Sequence, residues 1–367
     1  MRLSIFRFFP RLYKKGGRLI ETAPTVSVVI PCRNEVAHIA TCIRSLLNQD
    51  LLAERMEILV ADGMSDDGTR DILLRLTKED PRLRVVDNPG RIVSTGLNTA
   101  IRAARGQIIA RIDVHTDYAP DYLRQCLAVL QETGADNVGG PWVAQGHGYV
   151  GGAIAAAFQS PFAVGGSRAH APDYAGMVDT VYLGCWPRDV FERIGLFDEE
   201  LVRNQDDEFN LRLTRAGGKI WQSPRIRSWY KTRGSLGALF RQYQQYGYWK
   251  VRVIQKHHLS VSVMYMVPAV FVLTLVGFAL ASLLLPMARY GLILTLAAYL
   301  FAVGVASVHT ASRSAWRFLL ILPAVFACFH MSFGLGFLHG MLDFLVLRRG
   351  PRPQFEALTR SSPGALP

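Results

Sequence analysis

The sequence predicts an α/β domain, a mostly parallel sheet flanked by helices, followed by a C-terminal bundle of transmembrane helices. Three observations carry this. Continuous β-branched runs alternate with amphipathic helical patterns between residues 24 and 260. Acidic and polar clusters fall at the carboxyl ends of those runs, where open α/β sheets bind ligands. Beyond residue 260 the composition shifts to uncharged apolar runs long enough to cross a bilayer.

The elements follow in order. "VSVVIP" (26–31) is a β-branched run, as expected of a strand buried on both faces. "HIATCIRSLLNQ" (38–49) has helical spacing, "MEILVAD" (56–62) is a second strand and "GTRDILLRLTKED" (68–80) a second helix. "LRVVDN" (83–88) is a third strand, "STGLNTAIRAAR" (94–105) a helix ended by Gly106, and "QIIARID" (107–113) a fourth strand. Strands joined by such helices imply right-handed crossovers. Residues 147–175, rich in Gly, Ala and Pro and carrying His147, Arg168 and His170, read as a flexible loop over the site.

The chain has 367 residues, a net charge of +12 and half its residues hydrophobic. Such a balance suits an anionic membrane surface, a phosphorylated substrate or a nucleic acid. Residues 1–20 hold six Lys or Arg and no acid, interleaved with Phe, Leu and Ile. That pattern favours a membrane-surface segment over a nucleic-acid arm. Arg7, Pro10 and Arg11 break the apolar run that a secretory signal needs. The five cysteines are scattered and odd in number, which argues against a disulfide framework or a zinc site and for a reducing compartment.

The expected organisation is a basic amphipathic segment at 1–23, a globular domain at 24–250, an anchor at 251–350 and a tail at 351–367. About three spans fit the anchor, at 261–285, 290–308 and 318–347, by the rule of roughly 20 apolar residues per span. The third, interrupted by Pro323 and several Gly, reads as one tilted, kinked helix or a broken pair. Lys250, Arg252 and Lys256 keep the globular part cytoplasmic by the positive-inside rule. Three spans then put the tail outside, yet Arg348, Arg349 and Arg352 follow the last one at once. Either the third segment re-enters or the number of crossings is even.

Three clusters carry the chemistry. In "DGMSDDGT" (62–69), Asp66 and Asp67 read either as ligand groups or as helix N-caps. Asp62 ends a buried strand and points at the crevice, where a carboxylate accepts hydrogen bonds from a base or ribose. No GxGxxG and no GxxxxGK[ST] is present, so neither a dinucleotide fingerprint nor a P-loop is available. In "RIDVHT", Asp113 and His115 lie on the same side of an extended segment. They suit a divalent cation bridging phosphates, Mg²⁺ or Mn²⁺, or are a surface Asp beside an unrelated His. In "RNQDDEFNLRL" (203–213), Asp206, Asp207 and Glu208 are either a solvated helix start favoured by the dipole or repelling carboxylates that need a cation or a shared proton.

"VSVVIPCRNE", "ILVADGMSDDGT", "GLNTAIRAARGQIIARIDVHT", "GCWPRDVFERIGLFDEEL" and "NQDDEFNLRL" occur in this order. The series resembles the family 2 inverting glycosyltransferases of GT-A fold, with a Rossmann-like sheet, over about residues 24–250. "SWYKTRGSLGALFRQYQQYGYWK" and "FHMSFGLGFLHG" are similar to the membrane-anchored, succinoglycan-type exopolysaccharide transferases of bacteria. The resemblance implies that Pro31, Asn34, Glu35, Asp62 and Asp113 bind the donor nucleotide. It implies that Asp113 and His115 hold the metal, His115 standing where the family has a second Asp. Asp206 is then the general base and Glu208 the second acid of the motif, with Gln205 in the place of a Glu and Asp207 as the rival base. Arg233 is the phosphate clamp or a contact to anionic headgroups. Trp186, in the loop and helix expected over 184–201, Trp249, beside an interfacial aromatic stripe, and Glu208 lie on the acceptor side, the two tryptophans otherwise being packing residues. His330, His339 and Asp343 are polar groups at membrane depth, which mark function or, for His339 and Asp343 at i, i+4, satisfy each other; no role is assigned to them.

These assignments imply an enzyme that moves one sugar from a UDP-sugar to a saccharide acceptor, lipid-linked, at the cytoplasmic face of the inner membrane. It uses Mn²⁺ or Mg²⁺, binds no nucleic acid and leaves room for other polysaccharide-assembly proteins as partners. A processive synthase needs more spans and the Arg of a Gln-x-x-Arg-Trp pattern, which "QYGYW" (245–249) lacks. A non-catalytic nucleotide-binding scaffold of a polysaccharide assembly complex is the reading from another class, kept open by Gln205 and His115.

Overall fold

The computed structural model describes residues 25–258 and 263–357, so the basic segment expected at 1–23 lies outside the described residues. Strands β1 (Val26–Cys32), β2 (Met56–Asp62), β3 (Leu83–Asp87) and β4 (Ile108–Arg111) fall on the four predicted runs. Helices α1 (Ile39–Leu47), α2 (Thr69–Glu79) and α3 (Val93–Ala103) fall on the three helical patterns. The strands pair in parallel in the order β3-β2-β1-β4. Val28, Val29, Ile30, Ile58, Leu59 and Val60 are wholly buried, as expected of central strands covered on both faces.

Past β4 the sheet becomes mixed. The chain forms β5 (Thr116–Tyr118), α4 (Tyr122–Thr133), β6 (Asn137–Gly140) and β7 (Val143–Gln145). Helices α5 (Gly148–Phe158) and α6 (Pro161–Val164) follow, then β8 (Gly176–Met177), β9 (Tyr182–Pro187) and α7 (Asp189–Ile194). Next come α8 (Gln205–Arg215), β10 (Ile220–Gln222) and β11 (Ser228–Lys231). β9 runs antiparallel between β4 and β6, and β10 and β8 complete eight strands. A second sheet, β5-β11-β7, starts just beyond the end of β4, and Lys231 N donates to His115 O at 3.0 Å.

The loop expected over 147–175 is largely helical. Gly and Ala give α5 a slim profile, and Ala153, Ile154, Ala157 and Phe158 are buried where it packs beside the C-terminal helices. Tertiary packing overrides weak propensity here.

The last part of the chain is built on α9 (Leu236–Lys256), whose N-cap Ser235 accepts from Ala238 N. Three apolar helices follow, α10 (Val263–Ala281), α11 (Pro286–Arg313) and α12 (Leu322–Gly340), the last running on as a π-helix over Met341–Val346. All three are long and apolar enough to cross a membrane. Pro323 stands in the first turn of α12, where its missing N–H is unneeded, so it starts the helix without kinking it. A short helix, α13 (Pro353–Glu356), closes the described chain.

α9 and α12 run side by side in the same direction. Near one end Cys328 Sγ donates to Leu236 O, and near the other Gln255 Nε2 donates to Phe344 O. Glycines let the backbones touch: a Cβ on Gly336 would stand 2.0 Å from Gln244 O, and one on Gly247 2.2 Å from Phe333 O. Gly336→Val is therefore expected to cost about 3 kcal/mol, the upper end for overpacking, read as a lower midpoint of unfolding in detergent.

Of the two readings of His339 and Asp343, mutual satisfaction is not what forms. Asp343 is fully buried and held by Arg349, Arg352 and the Tyr248 hydroxyl, while His339 Nδ1 lies 2.9 Å from Leu335 O. Arg349 and Arg352 reach a carboxylate otherwise stranded among apolar helices, and they outcompete a histidine on the same turn.

Candidate active site

A cavity of about 840 Å³ opens at the carboxyl ends of β1 and β4. Its polar wall includes Glu35 after β1, Arg111, Asp113 and His115 around the end of β4, residues 203–207 at the start of α8, and Gln242, Tyr246 and Lys250 of α9.

Arg111 organises this wall. It is the last residue of β4 and 5% exposed. Its Nε and Nη2 donate to the two oxygens of Asp113, at 3.2 and 3.3 Å. Its Nη1 makes no hydrogen bond and stands 3.9 Å from Asp206 Oδ2. One buried guanidinium thus faces a carboxylate at the end of the sheet and another at the start of a helix. One cation between two carboxylates holds them in fixed relation.

The three acids of α8 part company. Asn204, in the left-handed region at φ +61°, turns the chain into the helix, and its amide donates to Tyr246 O at 3.0 Å. Asp206 lines the cavity, where loss of water and then the charge of Asp207 raise its pKa, opposed by Arg111. Asp207 takes the Lys250 ammonium at 2.6 Å, and that ammonium also lies 4.6 Å from the Tyr265 ring centroid. Glu208 points inward, 2% exposed. It accepts from Arg212 Nε at 2.7 Å and Nη2 at 3.0 Å, and lies 2.8 Å from His257 Nε2. Arg212 in turn holds the carbonyls of Ile194 and Leu196. Glu208 is therefore a structural hub in the place of the expected acceptor-side acid. Glu208→Ala is expected to cost about 3–5 kcal/mol of stability, as for a broken buried pair, read by thermal unfolding before activity.

The other predicted residues divide. Pro31, Glu35, Asp113, His115 and Arg233 line the cavity. His115 Nε2 lies 2.8 Å from Glu35 Oε2, and Arg233 Nε donates to Gln242 Oε1. Asn34 and Asp62 do not line it. Asn34 exchanges hydrogen bonds with Asp66, and Asp62, fully buried, accepts from Ser65 Oγ at 2.6 Å and Arg70 Nη1 at 2.9 Å. They fasten the loops after β1 and β2 to each other. Trp186 and Trp249 are core residues. Trp186 is packed among Phe191, Phe197 and Phe209, and Trp249 Nε1 donates to Phe355 O. Neither offers a face to a sugar.

Several cavity residues went unread. Arg111 ends an otherwise apolar, buried strand, "IIAR", and that misplaced charge was its available signal. Arg203, whose pKa burial lowers, donates to Gln245 Oε1 at 3.0 Å. An aromatic wall stacks Trp142 between His170 and Tyr182, and burial pulls the His170 pKa down to about 4. Lys250 and Arg203 come from segments far apart in sequence, and no local pattern joins them.

With this geometry in view, the comparisons decide the family. Residues 27–160 match the model of "Glycosyl transferase family 2". The succinoglycan biosynthesis protein ExoA of Rhizobium meliloti is 33% identical over 249 residues, 67% of this chain and 75% of that protein. The chain belongs to glycosyl transferase family 2. A dolichyl N-acetyl-alpha-D-glucosaminyl phosphate 3-beta-D-2,3-diacetamido-2,3-dideoxy-beta-D-glucuronosyltransferase of Methanococcus voltae is 26% identical over 325 residues, 86% of this chain and 97% of that one. Among solved structures, a Pyrobaculum calidifontis mannosyltransferase in complex with GDP-Man and Mn²⁺ superposes with a TM-score of 0.55 at 19% identity. It covers 87% of this chain and 88% of that one. The shared fold is GT-A, and this glycosyltransferase adds long apolar helices to it.

Proposed function

We propose that this glycosyltransferase moves one sugar from a UDP-sugar, with inversion, to a lipid-linked saccharide in the assembly of an exopolysaccharide or another cell-surface polysaccharide. One observation carries the reading. Asp113, a donor-side carboxylate, and Asp206, a carboxylate suited to a base, face one guanidinium in a cleft whose far wall is apolar. Phe162, Val164, Val267 and Phe333 of α6, α10 and α12 form that wall. A soluble sugar has no use for it, whereas a lipid chain does. The Rhizobium relative is named for succinoglycan biosynthesis and the Methanococcus relative for a dolichyl-linked acceptor, which supports the same acceptor class.

Asp206 accepts the proton of the attacking hydroxyl as that oxygen closes on the anomeric carbon. Attack from the face opposite the departing diphosphate inverts the centre. Arg233 and Arg203 stand in the cavity as cations for the diphosphate. Pro31, Glu35 and Asp113 face the donor, while Asn34 and Asp62 act from behind by fixing the loops.

Asp113 and His115 also fit a divalent cation. One carboxylate and one imidazole, completed by diphosphate oxygens and water, suit Mn²⁺ better than Mg²⁺. Among the described residues no three acidic, His or Cys side chains converge, so Asp113 and His115 would hold the cation together with ligands from the substrate. When bound, the cation neutralises charge on the leaving diphosphate. Asp113 keeps its orientation through Arg111.

The globular part sits on the cytoplasmic face of the inner membrane, where nucleotide sugars are made. The test is nucleotide release in nanodiscs from a panel of UDP- and GDP-sugars with a lipid extract, under Mn²⁺, Mg²⁺ or EDTA. Turnover is expected with a UDP-sugar and Mn²⁺, and loss with EDTA. Binding of UDP without turnover on any donor overturns the reading in favour of a nucleotide-binding scaffold.

A further inference from the structure

We infer that the chain leaves the membrane on the side it entered. α10 and α11 form a hairpin inserted from the catalytic side, and α12, although apolar enough to span, lies along the catalytic domain without crossing. The inference rests on packing and stands apart from the reaction proposed above.

α9 cannot enter the bilayer core. Lys250 and Gln242 on it face the catalytic cavity, and its last turns are tied to the globular domain by Arg252 to Glu200 and Lys256 to Asp198. α12 is bound to α9 at both ends and through the glycine contacts between them. Its first half also touches the globular domain directly: Phe326 meets Phe162 edge-on at 5.3 Å, and Phe329 meets Phe158 at 5.9 Å. A helix fixed in this way to the surface of a globular domain does not traverse a membrane.

The segment after α12 returns to the same place. Phe355 stacks on Tyr248 of α9 at 3.9 Å, Trp249 Nε1 donates to its carbonyl at 3.0 Å, and Gln245 Nε2 donates to Ala357 O at 2.8 Å. Residues 353–357 therefore share the catalytic domain's side, and an odd number of crossings is excluded. Arg348, Arg349 and Arg352 then join Arg252 and Lys256 on one face, as the positive-inside rule requires.

The bare apolar surface agrees. Leu273, Leu280, Leu284 and Leu294, all in the hairpin, are 56–85% exposed, whereas nearly half of the best apolar stretch of α12 is already buried. The 19 residues of α10 reach about 28 Å at 1.5 Å per residue, close to the hydrocarbon thickness of about 30 Å.

Cysteine mapping tests this, because all five native cysteines are buried and give little background. Glu79→Cys marks the globular domain on an exposed helix position, and Gly350→Cys marks the tail, where an added Cβ meets nothing within 4 Å. Intact cells and inverted membrane vesicles are treated with a membrane-impermeant maleimide. Both positions are expected to label in inverted vesicles and neither in intact cells. Labelling of Gly350→Cys in intact cells, with Glu79→Cys protected, means three crossings and overturns the inference. A C-terminal fluorescent or phosphatase fusion reads the same side without relying on thiol access.

Discussion

Asp206→Asn is expected to cripple sugar transfer and leave the nucleotide bound. The amide keeps the size and position of the carboxylate but cannot take a proton, so kcat is expected to fall about 10²–10⁴-fold, the usual contribution of a positioned base. Nucleotide affinity should change little, because Asp113, Glu35 and Arg233 are untouched. Asp207 is the control. Its carboxylate is held by Lys250 at 2.6 Å, so Asp207→Asn should lower the rate less and act through the fit of α9 against α8. Single-turnover rates with a saturating donor, together with UDP titration, separate these cases. If Asp206→Asn keeps its rate while Asp207→Asn loses it, the base is Asp207.

Arg111→Met gives the second large effect, with a different signature. Methionine fills the buried volume but releases both carboxylates. Asp113 loses two hydrogen bonds and Asp206 loses its facing cation. Misplacement of this order costs about 100-fold in rate. The sign of the pH effect follows from Arg111 favouring ionised Asp206 against loss of water and the charge of Asp207. Removing the guanidinium raises the Asp206 pKa further, leaves less base at a given pH and moves the acid limb of the rate profile toward neutrality. Arg111→Lys should recover little, since an ammonium cannot face both acids with a planar fork. A merely structural role would lower the unfolding midpoint and leave the acid limb in place.

The first half of the α/β domain was legible because each element was locally consistent. β1 to β4 and α1 to α3 lie within about two residues of their predicted bounds, since buried parallel strands and amphipathic helices leave unmistakable periods. α5 was not legible: Gly and Ala carry no period, and only its neighbours make it a helix. The site divides along the same line. Asp113, His115 and Asp206 follow motifs in the sequence. Arg111 joins two of them across the fold, Lys250 of α9 holds Asp207, and Glu208 takes His257, just after α9, in addition to Arg212 of its own helix. Trp186 and Trp249 show the opposite error. An aromatic residue near a motif suggests a sugar platform, and only the packing around each shows that it fills a core.

Tyr248 and Trp249 meet Phe355 across a separation of more than a hundred residues, and the whole apolar hairpin lies between them in the chain. That gives the protein an order of manufacture. As the ribosome delivers it, the globular domain emerges with α9 still lacking the partners that cover its outer face. The hairpin follows, and only afterwards do α12 and α13 arrive to settle against α9. The cavity, which Phe333 and Glu356 help to line, is finished only after the apolar hairpin has been made.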